Sequence, residues 1–288
     1  MDETYEHVDD DEILRAVEKL REQGRREETS KISQVLMEDG AAAAMFELGL
    51  LLDDEGGHSE AEAWYLKAAG AGNLSAMLHL GLLLEIVFER DAEAGRWYES
   101  AARAGHLEAM YELGRWLGDK DQWEESDEWY RKAAELGHLQ AMLALASDLK
   151  WMGNVGEAET WFRRAADVGD TSAMNDLAII LDESGRTEEA ENWWRRAASE
   201  GNIIAAYNLG GLLQRSGRDN EAKSWYLQAA SGGDADASYS LGRLLFEQEE
   251  STEAESWLRE AAQQGHPGAM IELARLLRNT DQASEVPL

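Results

Sequence analysis

The sequence predicts an all-α protein: a right-handed α-solenoid of stacked helix-turn-helix repeats, with a period of 32 residues and about 17 helices. Three observations carry this. A Trp, followed by an aromatic residue or Leu and then, after two further residues, by Ala-Ala, recurs at Trp64, Trp97, Trp129, Trp161, Trp193, Trp225 and Trp257, in one step of 33 residues and then steps of 32. An Ala stands four residues after a Gly at Gly40/Ala44, Gly72/Ala76, Gly105/Ala109, Gly137/Ala141, Gly169/Ala173, Gly201/Ala205, Gly233/Ala237 and Gly265/Ala269. Only two prolines, Pro267 and Pro287, interrupt the chain, so helix is allowed almost everywhere. Units with a strict period bury their apolar faces on their neighbours and make an extended surface rather than a closed pocket, so function is sought in binding.

Taken in order, residues 1–40 read as a degenerate N-terminal capping repeat with an acidic tail. Ile13, Ala16, Val17 and Leu20 fall on a first helix, Gly24 lies in its turn, and residues 29–37 form a second helix. Residues 41–266 hold seven full repeats. The first helix of each, A, has apolar residues at helical spacing, as in Met45, Leu48, Gly49 and Leu52, and the second, B, follows the same rule at Ala61, Tyr65 and Ala68. A short turn joins them, often with glycine, as at Gly56, Gly153, Gly185 and Gly217. Small residues at Gly49, Gly81, Gly114 and Ala146 let helix B approach helix A, and the Tyr or Trp of helix B fills the gap. Asn73, His106, His138, Asp170, Asn202, Asp234 and His266 form an N-cap column, with Pro267 at the first position of its helix. The glycine before each suits the left-handed end of the preceding helix. The 33-residue step places one extra residue between Met77 and Trp97. Residues 267–288 read as a C-terminal capping helix, to Arg278, and a disordered tail from Asn279.

Composition narrows the function. Net charge is −31, from 58 acidic against 27 basic side chains, which disfavours nucleic-acid binding, since phosphate contacts need clustered Lys and Arg. It favours a basic protein or peptide partner. No stretch approaches the roughly 20 apolar residues of a membrane span, and residues 1–12 are acidic where a secretion signal is basic and apolar. The expectation is therefore a cytoplasmic protein with no membrane partner. The absence of cysteine excludes a disulfide framework and thiolate metal sites.

The segment Trp129–Met142, reading WYRKAAELGHLQAM, resembles the Sel1-like repeat, a branch of the tetratricopeptide superfamily, and the resemblance covers roughly residues 41–278. One departure is the A–B turn, which is as short as in ordinary tetratricopeptide units, whereas Sel1-like repeats usually carry a longer connection. The disulfides known in some Sel1-like proteins are impossible here. The resemblance implies a non-enzymatic adaptor scaffold whose A helices line a concave groove.

Columns that differ between copies are where a repeat protein is free to specialise. On the A-helix face away from helix B, the first column reads Phe46, Leu78, Tyr111, Leu143, Asn175, Tyr207, Tyr239 and Ile271. The second reads Leu50, Leu82, Arg115, Ser147, Ile179, Gly211, Arg243 and Arg275, and the third Asp53, Glu85, Gly118, Lys150, Asp182, Gln214, Phe246 and Arg278. The expected peptide-binding groove comprises Phe46, Leu50, Leu78, Leu82, Tyr111, Arg115, Asn175, Tyr207, Asn208, Tyr239, Arg243 and Arg275. Its N-terminal zone, apolar with acidic edges at Asp53, Asp54 and Glu85, suits an amphipathic helix with basic flanks. Its C-terminal zone, rich in Tyr, Arg and Asn, suits a polar peptide. The competing reading is that the tyrosines pack on adjacent helices as ordinary repeat variation. A second surface arises where A–B turns turn apolar: Ile86, Val87, Phe88, Trp123, Trp151, Met152 and Val155 could form one ridge, a contact for a homodimer or for a foreign partner, or else pack on one another.

Chemistry is weakly signalled. His106, His138 and His266 belong to the cap column and stand a layer or more apart, too far to share a metal at about 2 Å per bond. His58 reads as a solvent-exposed turn residue, His7 as part of the acidic segment, and only His79 lies beside the groove. Acidic pairs such as Glu124-Glu125 and Asp127-Glu128 follow from composition and read as a solvated face. No phosphate-binding glycine loop is present. The sequence thus predicts no enzyme activity, no cofactor and no metal. A small-molecule receptor or an enzyme in the groove stands as the third alternative, and would need a pocket with convergent polar groups.

Overall fold

The polar column after each glycine caps the helix that follows it. Backbone N–H groups of Ala76, Ala109, Ala141, Ala173, Ala205, Ala237 and Ala269 donate to the side chains of Asn73, His106, His138, Asp170, Asn202, Asp234 and His266 at 2.6–3.2 Å. The glycine before each takes a positive φ, as the reversal into the cap requires. Several caps have a second polar atom that reaches the preceding A helix. Asn202 Nδ2 donates to the Thr171 carbonyl at 3.1 Å, and Asn73 Nδ2 to that of Ala42 at 3.4 Å. In the histidines Nδ1 accepts from the helix, so Nε2 carries the proton: that of His138 lies 2.9 Å from Glu108, that of His266 3.2 Å from Asp236, and that of His106 3.4 Å from Ser75 Oγ. One column both starts a helix and ties it to the repeat before.

The structure, a computed structural model, describes residues 10–22 and 24–284. Among these it contains 17 helices and no strand. The chain divides into two compact units, residues 1–145 and 146–288.

The first unit holds α1 (Asp10–Glu22), α2 (Arg26–Glu38), α3 (Ala41–Asp54), α4 (His58–Gly70), α5 (Leu74–Ile86), α6 (Asp91–Arg103), α7 (Leu107–Gly118), α8 (Trp123–Glu135) and the first part of α9 (Leu139–Trp151). Odd-numbered helices are A and even-numbered ones B. As expected, α1 and α2 form a hairpin around Gly24, with Ile13, Val17, Leu20 and Ile32 buried. The extra residue enters the α5–α6 turn, which runs from Val87 to Arg90, against residues 55–57 between α3 and α4. The A–B contact rests on absent side chains. A Cβ at Gly49 would lie 2.5 Å from the Tyr65 ring, one at Gly81 2.6 Å from Tyr98, and one at Gly114 2.7 Å from Tyr130.

The second unit holds the rest of α9 and α10 (Val155–Asp167), α11 (Thr171–Glu183), α12 (Thr187–Ser199), α13 (Ile203–Arg215), α14 (Asp219–Ser231), α15 (Ala235–Glu247), α16 (Ser251–Gln263) and α17 (Pro267–Ser284). The glycine rule continues at Gly210 against Tyr226 and Gly242 against Leu258, at 2.6 and 2.8 Å. Neighbouring B helices are joined by arginine. Arg186 donates to Glu159 and Glu189, and Arg218 to Glu191 and Glu221, all at 2.8–2.9 Å. On the tryptophans of α10 and α12, Arg164 and Arg196 lie over the rings of Trp161 and Trp193 at 4.6 and 5.6 Å, which covers the buried Trp161 and the half-buried Trp193. The tail expectation needs correction: α17 runs on to Ser284, because nothing between Arg278 and Ser284 breaks a helix. Residues 285–288, like the acidic segment 1–9 with its His7, lie outside the described residues.

Candidate functional site

In the second unit the A-helix columns expected to line the groove lie on α13, α15 and α17, and they reach the neighbouring B helices. Tyr207 lies with its ring 6.0 Å from that of Tyr226, and Tyr239 stacks on His266 at 4.3 Å and presses on Gly268. Both rings are half-buried. The two kinds of tyrosine differ at their hydroxyls. On the B helices Tyr226 donates to Gln214 at 3.0 Å, and burial, with Tyr207 beside it, pushes its phenol up to about 12. The hydroxyls of Tyr207 and Tyr239 donate to nothing among the described residues. Asn208 spends its amide N–H on Asn175, at 2.9 Å, and its Oδ1 is likewise unengaged among them.

One turn along, Arg243 reaches over the Tyr239 ring at 5.8 Å and makes a loose 3.4 Å pair with Glu247; Arg275 pairs with Glu272 at 3.0 Å. Both guanidiniums are largely exposed, so these pairs are weak and exchangeable. Between α15, α16 and α17 lies a cavity of about 300 Å³, floored by Phe246, Leu258 and Leu276 and rimmed by Arg243, Glu247, Glu272 and Arg275. Phe246 is 48% exposed. The cavity is at the lower end of ligand-pocket size and suits one apolar side chain. Phe246, Glu247 and Glu272 were missed as site residues by sequence reasoning. Phe246 had a signal, as the one aromatic in a column otherwise polar or glycine; the two glutamates had none in so acidic a chain.

The first unit treats its A face differently. Phe46 packs between His79 and Tyr65, at 5.1 and 6.0 Å, while Leu50 and Leu82 are half-buried. The charged edge is internally satisfied: Asp53 takes His58 Nδ1 at 2.7 Å and the Tyr65 hydroxyl at 3.5 Å. His58 is therefore a partly buried pairing group and not a solvent-exposed turn residue. Arg115 donates to Glu85, Glu112 and Asp119 at 2.6, 2.7 and 3.0 Å. Burial would raise the Glu85 carboxyl, but bonds from Arg115 and from Tyr98 hold it below the usual range. Tyr111 stacks on His138 at 5.0 Å and leans on Tyr130.

Two expected groove residues do not reach the surface. Leu78 is 5% exposed and Asn175 7%. Leu78 belongs to the apolar interior of α5. Asn175 is held by the Trp194 indole, which donates to its Oδ1 at 3.1 Å.

At the apolar turns, Ile86, Val87 and Trp123 are exposed in the first unit and Phe88 is half-buried; Trp123 lies 3.6 Å from the position of a Cβ on Gly118. In the second unit Trp151 is 89% exposed, with Met152 and Val155 exposed beside it. Among the described residues no group of three or more His, Asp or Glu is placed to hold a metal, and no helix is long and apolar enough to cross a membrane.

The Sel1 repeat model matches residues 42–73, 74–106, 107–122, 124–138, 203–234 and 235–266, together more than half of the chain, and a tetratricopeptide repeat model matches 138–169 and 171–199. No curated protein matches. Among solved structures, the chain is similar to a protective antigen of uropathogenic Escherichia coli strains that displays an SLR fold, at 25% identity and a TM-score of 0.58, covering 86% of this chain and 67% of that one. It is similar also to a Sel1 repeat protein from Oxalobacter formigenes, at 25% identity and a TM-score of 0.58, covering 76% of this chain and 99% of that one. The C-terminal part of a TPR repeat-containing protein from Cytophaga hutchinsonii shares the fold, with 13% identity, a TM-score of 0.58, and coverage of 79% and 99%. Hairpins stacked at a 32-residue period, a glycine or alanine under the helix-B residue that follows each Trp, and these matches lead to one conclusion: the chain belongs to the Sel1 repeat family of the tetratricopeptide repeat superfamily.

Proposed function

We propose that the protein is a non-enzymatic interaction scaffold that captures a peptide segment on the A-helix face of its second unit. Sel1 and tetratricopeptide repeat proteins generally mediate protein–protein interaction. The observation that carries the finer reading is a set of polar groups unengaged among the described residues, together with an apolar-floored cavity: the hydroxyls of Tyr207 and Tyr239 and the Asn208 side-chain carbonyl can bond a peptide backbone, and the cavity over Phe246 takes an apolar anchor. Tyr and Arg are favoured anchors: Tyr buries a large rigid ring at small entropic cost, and Arg joins a charged fork to an apolar stem. The net charge of −31, with Glu247 and Glu272 on the rim, favours a segment with basic residues around that anchor.

The test starts from 12-residue peptides selected on the full chain from a random library at 0.15 M salt. The selected peptides should join Lys or Arg to a large apolar residue. Their affinity by calorimetry should fall at least about tenfold when Tyr207→Phe, Tyr239→Phe and Arg243→Gln are combined, changes that spare the ring packing. It should fall again as salt rises. Unchanged affinity in the triple variant removes this face from the reading.

A second reading, self-association, is favoured by one observation, the 89% exposure of Trp151. Sedimentation of the parent beside Trp151→Glu decides it; a monomeric parent rejects it.

A further inference from the structure

One residue after the column of Phe46, Asn175 and Tyr207, each A helix carries a side chain turned about 100° further round its axis, away from helix B. Four of these side chains are carboxylates, and three of the four hold a cation. Glu47 takes Lys31 at 2.6 Å, Glu112 takes Arg115 at 2.7 Å, and Glu272 takes Arg275 at 3.0 Å. The fourth, Asp176 of α11, is half-buried and makes no ion pair among the described residues.

The hydrogen bonds around Asp176 fix which atoms are left over. An indole N–H only donates, so the Trp194 bond identifies the Asn175 atom facing it as Oδ1, and Asn208 Nδ2 donates to that same oxygen. The Asn175 Nδ2 is thereby turned to Asp176, donating to its Oδ1 at 3.2 Å. Two acceptors then flank one buried amide: the second carboxylate oxygen of Asp176 and Oδ1 of Asn208, neither engaged among the described residues. Burial raises the Asp176 carboxyl above its usual range, against smaller opposing pulls from Lys150 and from the Asn175 amide, so its charge is only partly compensated within the chain. A pair of acceptors, one of them charged, selects a cationic donor.

We infer that Asp176, with Asn208 Oδ1 beside it, receives the charged head of one Lys or Arg of the captured segment, and so fixes the spacing of that basic residue from the apolar anchor over Phe246. The inference rests on the peptide-binding reading of this face and adds to it the residue that selects for charge. The overall field of −31 favours basic partners everywhere and selects no position in them.

The probe is the random 12-residue library, selected at 0.15 M salt on the full chain and in parallel on Asp176→Lys and Asp176→Asn. Peptides from the parent should carry Lys or Arg at one spacing from the apolar residue. Those from Asp176→Lys should carry an acidic or neutral residue at that spacing and keep the apolar one. Asp176→Asn, which keeps the shape and removes only the charge, should lose the basic preference, and it serves if thermal melts show Asp176→Lys unfolded. By calorimetry, a parent-selected peptide should bind Asp176→Asn at least about fivefold more weakly, and its Gln-substituted form should lose as much on the parent. Both changes together should cost no more than about twofold beyond either alone, because each removes the same contact. The inference is overturned if the variants select the parent's basic pattern, or if the two losses multiply, while affinity still falls on the combined Tyr207→Phe, Tyr239→Phe and Arg243→Gln variant; the peptide-binding reading then stands without it. A library that yields no peptide, or peptides indifferent to that triple variant, removes the peptide-binding reading and this inference together.

Discussion

The indole N–H of Trp194 donates to Asn175 Oδ1 at 3.1 Å, and both residues are buried. Asn208 donates to the same oxygen, so one buried carbonyl serves a B helix and the next A helix of the second unit. Asn175→Leu should leave the indole N–H unsatisfied and cost about 1–3 kcal/mol. Trp194→Phe should then cost less in that background than in the parent, with a coupling of about 0.5–3 kcal/mol. Urea denaturation of the four proteins of this cycle, followed by circular dichroism, checks it; additive losses would mean that the bond contributes nothing.

This pair also marks the limit of what could be read from sequence. The period, caps and glycine contacts were legible, because each repeats in register and each repetition has one steric or hydrogen-bonding cause. Asn175 was read as a groove residue because its column was expected to face away from helix B, whereas at Phe46, Tyr111 and Tyr207 the same column leans on the helix-B aromatic. Its burial depends on Trp194, and only coordinates show the wider indole reaching across. Leu78 failed likewise, since a leucine in that column can lie on the face or sink into it. The Arg243–Glu247 rim was half legible: an arginine stands out in a chain of charge −31, and a glutamate does not.

Backbone strain supplies a second prediction. The A–B turns place Gly24, Gly56, Gly153, Gly185 and Gly217 at positive φ, and in the same column Glu89, Asp121 and Glu249 adopt φ of 53°, 58° and 66°. A left-handed residue with a Cβ costs about 1–2 kcal/mol, part of which a glycine returns as unfolded-state entropy. Glu89→Gly and Glu249→Gly should each therefore stabilise the protein by about 0.5–1 kcal/mol. Asp121→Gly should give less, because aspartate tolerates this region. Thermal melts of the three variants decide the order; a loss at Glu249→Gly would refute the strain argument.

The close A–B approach predicts the opposite response at the helical glycines. A Cβ on Gly114 would lie 2.7 Å from the Tyr130 ring, whose buried position leaves it little room to give, so Gly114→Ala should destabilise by about 1–3 kcal/mol despite the better helix propensity of alanine. Gly156, in the first turn of α10, has nothing within 4 Å of such an atom, and Gly156→Ala should be neutral or stabilising by up to about 1 kcal/mol. Melting temperatures that move the same way in both variants would show that ring contact is not what selects glycine at position 114.

His106 makes the stability of its repeat depend on pH. Its Nδ1 accepts the Ala109 N–H at 3.2 Å and so must be unprotonated to cap α7. Burial lowers its affinity for a proton below the ordinary value of 6.5, against a smaller opposing pull from Glu108. A folded-state value below the unfolded one means that the unfolded chain takes up the proton first, so the contribution is complete above pH 6.5 and is lost as pH falls below it. Asn73 and Asn202 cap their helices in the same column without titrating. His106→Asn should thus match the parent at pH 8 and become the more stable of the two between pH 6.5 and 5. His106→Ala should lose about 0.5–2 kcal/mol at pH 8, the ordinary value of a cap. Melting curves of the three proteins across this range provide the check, and parallel pH profiles for parent and His106→Asn would show that protonation of this cap does not govern stability.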